Sequence, residues 1–536
     1  MNSLAVLYGS RLFPAAFEKV FDGKSTLDLA LERVRLFPGV GKVVLLGAEG
    51  MVYPEIPGDV TVVSQPKWTR KGLLETLSSL GIGFDLTFFA WADCPFLDPA
   101  LAAAIADRHL RYAAEYSYAD GWPYGFAPEL LSPGTAGILA KIAGEDESPV
   151  ERDSLFAVLQ KDINAFDIET EISGIDLRSH RLSLSADSKR NLLLLTRFAG
   201  AAKAAGTASG IPAAADAAEI IASKPEILRT LPNFYPIQVS GVCPQACTIC
   251  PYSQFAGNGK AAGPGSFLEI HQFEALLDKI STFSGDAVID LSLWGEISLH
   301  PQRLELIKLV LDRPELSLII ETSGVGWKNG DLEAIAGLAA KAGTASAANR
   351  RSILPPLSWI VSLDTADPQR YQEIRGPGFA EAMDCAKKLL ALFPKDAYVQ
   401  AVRTAGAEDD IEKFYRSWKE AAPNGSANII IQKYDDFCGV LPKKQASDLS
   451  PVQRQPCWHL MRDMPILLDG TVPLCREDLS VLKGGPQGSG ERILGNAFSD
   501  SLEIIWERGA KFYEEHCRGK YTDSCAGCDE YYTYNF

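Results

Sequence analysis

At 536 residues the chain is too long for a single hydrophobic core and predicts about three domains. Its 46% apolar and 22% charged content is that of an ordinary globular protein, and a net charge of −16 argues against nonspecific binding to nucleic acid or an anionic membrane. It has no uninterrupted apolar run of about 18 residues, so no membrane-spanning helix is expected. The opening Met1-Asn-Ser-Leu-Ala-Val-Leu-Tyr-Gly has no basic stretch ahead of a long apolar one and predicts a first strand, not a signal peptide. Of 11 cysteines, only Cys94 precedes residue 243. Thiols clustered so far from an even spread predict metal chemistry in a reducing cytoplasm, not a disulfide framework.

Along residues 1–199 short apolar runs alternate with helical stretches. Strands are expected at Leu4–Tyr8, Lys42–Leu46, Val60–Val63 and Leu86–Ala90, and helices at Leu27–Leu36 and Ala100–Arg108. The alternation predicts an α/β sheet domain. Its opening Gly9-Ser10-Arg11-Leu12-Phe13-Pro14, with Lys19 and Gly23-Lys24 behind, and its later Ala92-Asp93-Cys94-Pro95 at a strand end, resemble the sugar cytidylyltransferases. The segment from Leu177 to Asp187 is similar to that family's closing strand. The resemblance implies a Rossmann-like nucleotidyltransferase-type fold in which Ser10, Arg11 and Lys19 cradle nucleotide phosphates and Asp93 binds Mg²⁺. Read without it, Arg11 and Lys19 belong to a solvated loop. A working transferase and a degenerate domain that binds a nucleotide-sugar or a partner are both open.

Residues 200–232 are alanine-rich, with Gly, Ser and Pro212, and predict a helical linker. A second strand–helix series fills 233–440. Strands are expected at Tyr235–Ser240, Ala287–Leu293, Leu316–Glu321, Ser358–Leu363, Tyr398–Val402 and Asn428–Gln432. Amphipathic runs at Phe273–Ile280, Leu304–Leu311, Leu332–Leu338 and Ala380–Leu392 lie between them. Six such units predict a partial TIM-like (βα)6 barrel, with Ala340–Pro356 projecting as a surface insertion.

The first of these strands leads into Cys243-Pro-Gln-Ala-Cys247-Thr-Ile-Cys250, a C-x3-C-x2-C loop. Three thiolates on one loop suit a cubane iron–sulfur cluster or part of a zinc site. Later strands end in Trp294-Gly295-Glu296, Glu321-Thr322-Ser323-Gly324, and Ser362-Leu363-Asp364 with Arg375-Gly376 downstream. In this order the four motifs resemble the radical S-adenosylmethionine (SAM) family. That resemblance implies a 4Fe–4S cluster on Cys243, Cys247 and Cys250 whose fourth iron binds SAM. It further implies that Gly295 and Glu296 meet the SAM amino group, with Ser323 on the next strand, and that Ser362 and Arg375 hold its carboxylate. Tyr398, Gln400, Arg403, Gln432 and Tyr434 are candidate substrate contacts by position alone.

Residues 441–536 are short, Gly-rich and cysteine-rich, which predicts a small metal-stapled module. Cys457, Gly470 and Cys475 give C-x12-G-x4-C, with Leu468-Asp-Gly as a hairpin turn, and Cys525-Ala-Gly-Cys528 closes the chain. The pattern resembles the SPASM extension of peptide-modifying radical SAM enzymes and implies a second, auxiliary 4Fe–4S cluster on Cys457, Cys475, Cys525 and Cys528. A four-cysteine zinc ribbon is the alternative. Cys438 and Cys517 are expected to be buried spares or a fifth thiol. Arg476, Glu477 and Asp478 follow Cys475 where sulfatase maturases carry an Asp, which argues against that activity.

The whole order is similar to the spiro-SPASM family. It implies reductive cleavage of SAM and hydrogen abstraction from an unidentified small molecule or peptide, with a flavodoxin or ferredoxin as reductant, and no membrane or nucleic-acid partner. Two other readings stand beside it. One is a nucleotidyl or glycosyl transferase with a redox-sensing C-terminal half, and the other is a zinc-stabilised scaffold without activity.

Overall fold

The computed structural model describes residues 1–207, 210–252, 266–346, 354–477 and 492–533. It divides into two compact units, Met1–Leu228 and Arg229–Phe536. This partition differs from the four-part reading. The alanine-rich segment is part of the first unit, where the helix Lys189–Ala204 buries Phe198, Ala201 and Ala202. Further along, Asp98 accepts a 2.6 Å bond from the Ala214 backbone. Small side chains there allow close packing, which a composition of Ala, Gly and Ser does not distinguish from a solvated linker.

The first unit is a mixed α/β sheet. Its strands are β1 (Ser3–Tyr8), β2 (Val40–Ala48), β3 (Val60–Gln65), β4 (Leu86–Trp91), β5 (Tyr116–Asp120), β6 (Glu129–Leu131) and β7 (Ile168–Ile172). They lie in the order β3-β2-β1-β4-β6-β5-β7, and only β6 runs antiparallel to its neighbours. All six residues of β1 are buried. That is the signature of a parallel strand covered on both faces, and it is why these strands are continuous apolar runs in the sequence. Helices Thr26–Val34, Arg70–Leu80 and Pro99–Arg111 begin at Ser25, Thr69 and Asp98, whose side chains accept the free backbone N–H groups of the first turn.

The second unit holds an all-parallel sheet of β8 (Phe234–Pro236), β9 (Ala287–Asp290), β10 (Leu316–Thr322), β11 (Leu357–Ser362), β12 (Ala397–Arg403) and β13 (Ile429–Lys433). The strands lie side by side in chain order, β8 to β13. Helices Ile270–Ser284, Arg303–Leu311, Asp331–Ser346, Phe379–Leu392 and Glu408–Ala421 make the crossovers. This is the partial (βα)6 barrel. Part of the expected insertion, 347–353, lies outside the described residues, and 340–346 completes a helix.

Two expectations at the cysteine-rich end need correction. Regular pairing of β8 stops at Pro236, and the chain segment 463–466 lies parallel beside it, with Met464 and Ile466 donating to the carbonyls of Phe234 and Pro236 at 3.0 and 2.8 Å. The Leu468-Asp-Gly turn closes, Leu467 donating to the Thr471 carbonyl, but joins no hairpin because the residues before it are already paired with β8. Instead β14 (Thr471–Pro473) pairs antiparallel with β15 (Ile493–Asn496). A single apolar core runs from Tyr235 to Tyr531, so residues 441–536 share the interior of the barrel.

Candidate functional site

The motifs at the strand ends meet in one cavity of about 310 Å³. Cys243, Cys247 and Cys250 line it from the loop after β8, Gly295 and Glu296 from the turn after β9, and Ser323, Ser362 and Arg375 from the turns after β10 and β11. Carboxyl ends of parallel strands are where loops of different origin converge, so this position follows from the sheet itself. The cysteine loop is clamped by the segment after the helix Pro368–Ile374. Thr248 donates to the Ile374 carbonyl at 2.8 Å, Ala246 to that of Arg375 at 3.2 Å, and the Gln245 side chain to that of Pro377 at 2.8 Å.

Burial raises the pKa of all three thiols, Cys243 to about 12 and Cys250 to about 11, with neighbouring carboxylates and thiols adding to the effect. Of the cations, Arg375 opposes this at Cys247 and Cys250. As thiolates, three cysteines lining one cavity would need more positive charge than one guanidinium supplies, and a thiophilic metal centre fits that donor set.

The turn after β9 is shaped by its backbone. Gly295 has φ +145°, and a Cβ there would lie 1.9 Å from the Ser240 carbonyl oxygen. Trp294 takes a left-handed φ of 40°, uncommon for a bulky side chain. Its indole stacks on Tyr252 with centroids 6.3 Å apart, and its carbonyl accepts from Gln238 at 2.8 Å. Glu296 is buried and held at both oxygens, by the Thr322 hydroxyl at 2.6 Å and the Ser323 N–H at 2.8 Å. Desolvation raises its pKa, and those hydrogen bonds work against the rise.

Arg375 and Ser362 do not stand free for a common ligand. Arg375 donates to Asp364 at 2.6 Å, and among the described residues its Nε has no partner. The Ser362 hydroxyl donates to Glu321 at 2.5 Å, leaving it only lone pairs, which a carboxylate cannot use. Glu321 is a hub that the sequence reading did not single out, because it also accepts from Gln400 at 2.7 Å. Asp290, buried at the end of β9, is a second omission. Burial pushes its carboxyl up to about 6. Both occupy ordinary strand positions, and only the closing of the sheet turns them into a site. Gln400, Gln432 and Tyr434 line the same cavity, whereas Tyr398 donates to the Lys395 carbonyl at 3.3 Å away from it. Arg403 is likewise not among the lining residues.

A second cavity brings together Cys457, Cys475, Cys525 and Cys528, the four thiols expected there, and adds Cys438. Phe437 and Cys438 both have left-handed backbones, φ 52° and 57°, which turn the chain sharply after β13. The Cys438 and Cys528 thiols hydrogen-bond to each other, lowering the pKa of Cys528 and raising that of Cys438. Cys517 is not part of the set and bonds to Tyr513 instead. His516, beside it in sequence, lines the cavity. Successive helical residues point about 100° apart, so only one of the two can face inward. Asp478 lies outside the described residues.

In the first unit the expected Mg²⁺ ligand does not fit its role. Both oxygens of buried Asp93 are taken by Arg152, at 2.8 and 2.6 Å, and Arg152 also reaches Asp187 at 3.0 Å and lies over the Trp91 ring. A guanidinium already supplies the positive charge a metal would bring. Ser10 is half-buried after β1, Arg11 is exposed, and Lys19 forms a 3.7 Å surface pair with Glu55.

The second unit is thus of the partial-barrel α/β class, with strand-end thiols, and the first is a mixed α/β sheet of seven strands. The chain belongs to the family of a protein of Treponema pallidum (strain Nichols), itself described as an uncharacterized protein, with 34% identity over 391 residues, 71% of this chain and 98% of the relative. A second uncharacterized protein of that organism is 38% identical over 65 residues, 12% of this chain and 30% of its own length. No protein-family model matches. Similar solved structures include a cytidylyltransferase from Leptospira borgpetersenii, with 16% identity, TM-score 0.34, 42% of this chain and 96% of that one. SuiB of Streptococcus suis, bound to its precursor peptide SuiA, is also similar, with 16% identity, TM-score 0.38, 55% of this chain and 68% of that one.

Proposed function

We propose that the second unit is a radical SAM enzyme, with a 4Fe–4S cluster on Cys243, Cys247 and Cys250 and an auxiliary cluster in the second cavity. The observation that carries this reading is the opening of all three thiols into the cavity that also holds Gly295, Glu296, Ser323 and Arg375. Bound together, such a cluster and SAM supply one-electron cleavage of the sulfonium and a 5′-deoxyadenosyl radical. The protein's part is to bind and orient. Glu296, fixed by Thr322 and Ser323, would receive an ammonium group, beside the close backbone approach that Gly295 permits. Arg375, with its Nε unpartnered and its other side held by Asp364, would receive the carboxylate. Glu321 and Ser362 offer acceptors for ribose hydroxyls, and Gln400, whose amide N–H groups go to those two residues, offers its amide oxygen as a third.

The substrate we assign to the cavity is a small molecule or peptide carrying amide or hydroxyl groups, met by Gln400, Gln432 and Tyr434. A flavodoxin or ferredoxin would deliver the electron. Thiol-held clusters require a reducing compartment, which favours the cytoplasm. Among the described residues no helix is long and apolar enough to cross a membrane. The first unit we read as a binding domain without metal-dependent transfer, because Arg152 occupies Asp93.

Anaerobic reconstitution with iron and sulfide, followed by dithionite and SAM, is expected to yield 5′-deoxyadenosine, and Cys250→Ala to abolish it. Equal product from that variant, or a protein that takes up zinc and no iron, would reject the reading.

A further inference from the structure

The second cavity holds more than its thiols require. Four cysteines complete the coordination of one cubane, and Cys438 makes five. Yet the same wall carries a side chain whose polar atoms are unanswered. His516 is only 4% exposed, and neither Nδ1 nor Nε2 has a hydrogen-bond partner among the described residues. Its ring is held in place by an edge contact with Tyr521, centroids 4.8 Å apart. Burying an imidazole with both nitrogens unsatisfied is unfavourable, so such a residue calls for a partner.

A second donor faces the same problem. Arg454 also lines this cavity, lying over the rings of Tyr521 at 4.2 Å and Tyr531 at 4.5 Å. Its terminal nitrogens donate to the carbonyls of Cys525 and Ala526, which fixes the Cys-Ala-Gly-Cys turn, while its buried Nε has no partner. Two orphaned N–H groups thus border a pocket of thiols. A cysteine-ligated iron–sulfur cluster is anionic, and its sulfurs act as hydrogen-bond acceptors. The chemistry each side lacks is what the other offers.

We propose that His516 donates a hydrogen bond from its ring N–H to a sulfur of the auxiliary centre, as a positioning residue that raises the reduction potential of that centre. The proposal rests on the auxiliary cluster of the reading above. It makes His516 a donor and not a ligand, because the cysteines already fill the coordination. A hydrogen bond to a cluster sulfur stabilises the more negative, reduced state, so removing it lowers the potential.

The test uses the full-length reconstituted protein in an EPR-monitored redox titration. If His516 is the donor, His516→Phe keeps the iron and sulfide content of the wild type, its auxiliary signal titrates at lower potential, and the signal of the Cys243 loop cluster does not move. His516→Gln, which retains an N–H, recovers part of the shift. In protein labelled with ¹⁵N-histidine, a weak nitrogen coupling should appear in the auxiliary signal of the wild type, persist in His459→Gln and vanish in His516→Gln, which separates His516 from the other histidine on the same cavity wall. An unchanged potential in His516→Phe, or absence of that coupling, overturns the proposal. So does loss of the auxiliary irons from both variants, which would make the imidazole a ligand. Wild-type protein that builds no auxiliary cluster at all rejects the parent reading instead, and metal analysis of the wild type separates the two failures.

Discussion

A methyl group at Gly295 would sit 1.9 Å from the Ser240 carbonyl oxygen, on a backbone with φ +145°. Neither the clash nor the strain can relax without moving the turn that carries Glu296. Gly295→Ala is therefore expected to lower unfolding free energy by about 3 kcal/mol in urea titration, and a loss below ~1 kcal/mol would show the turn to be adaptable. In the first unit, Asp93 and Arg152 form a pair whose side chains are 3% and 24% exposed. Removing the cation leaves a buried carboxylate, so Arg152→Ala should cost about 3 kcal/mol, with most of it recovered in Arg152→Leu/Asp93→Asn. A double variant no more stable than the single one would contradict that assignment. Asp290 gives a pH dependence. Its folded pKa of about 6 lies above the usual carboxylate value, so its stabilising contribution is complete below pH 4 and is lost as pH rises through 6. Asp290→Asn should remove a decline of at most roughly 3 kcal/mol between pH 4 and 6 from the stability profile of the metal-free protein. A profile identical to wild type would mean the carboxyl titrates normally.

At the scale of elements, the sequence was most readable where an element is covered on both sides. The runs of β1, β4, β10 and β11 are mostly apolar and almost wholly buried, and each expected strand was found within a few residues. The helix Glu408–Ala421 was not singled out, since only Phe414 and Trp418 are buried on it and most of its other residues are charged. Pairings between distant segments were not legible at all. Nothing in Met464-Pro-Ile466 says that it lies beside β8, and the Leu468-Asp-Gly turn suggested a hairpin where β14 pairs with β15. The three-cysteine loop stood out by its spacing, while Asp290 and His516, the role of Glu321 within its strand-end motif and the choice of Cys438 over Cys517 became visible only through topology. Gln238 ties these separated elements together. Its amide donates to the Trp294 carbonyl at 2.8 Å and accepts from the Leu468 N–H at 3.1 Å. Gln238→Leu should lower stability by about 2 kcal/mol, since two backbone groups lose their partner. An effect within ~0.5 kcal/mol would mean water replaces the amide without penalty.

For the molecule as a whole, two cores carry two different chemistries. The core of the first unit gathers around β1 and β4, and its strand-end carboxylate is neutralised by an internal arginine. The core of the second unit runs unbroken from the barrel into the cysteine-rich end, and both thiol-lined cavities are built on it. That continuity explains why Cys438, at the end of a barrel strand, joins thiols from the last part of the chain. The measurement that tests the account most directly is the EPR spectrum of reconstituted, dithionite-reduced protein before and after addition of SAM. The account predicts two cluster signals, of which one changes on SAM addition and is missing in Cys250→Ala, while the other persists in both. Spectra unaltered by SAM, from protein that holds its full complement of iron, would contradict it.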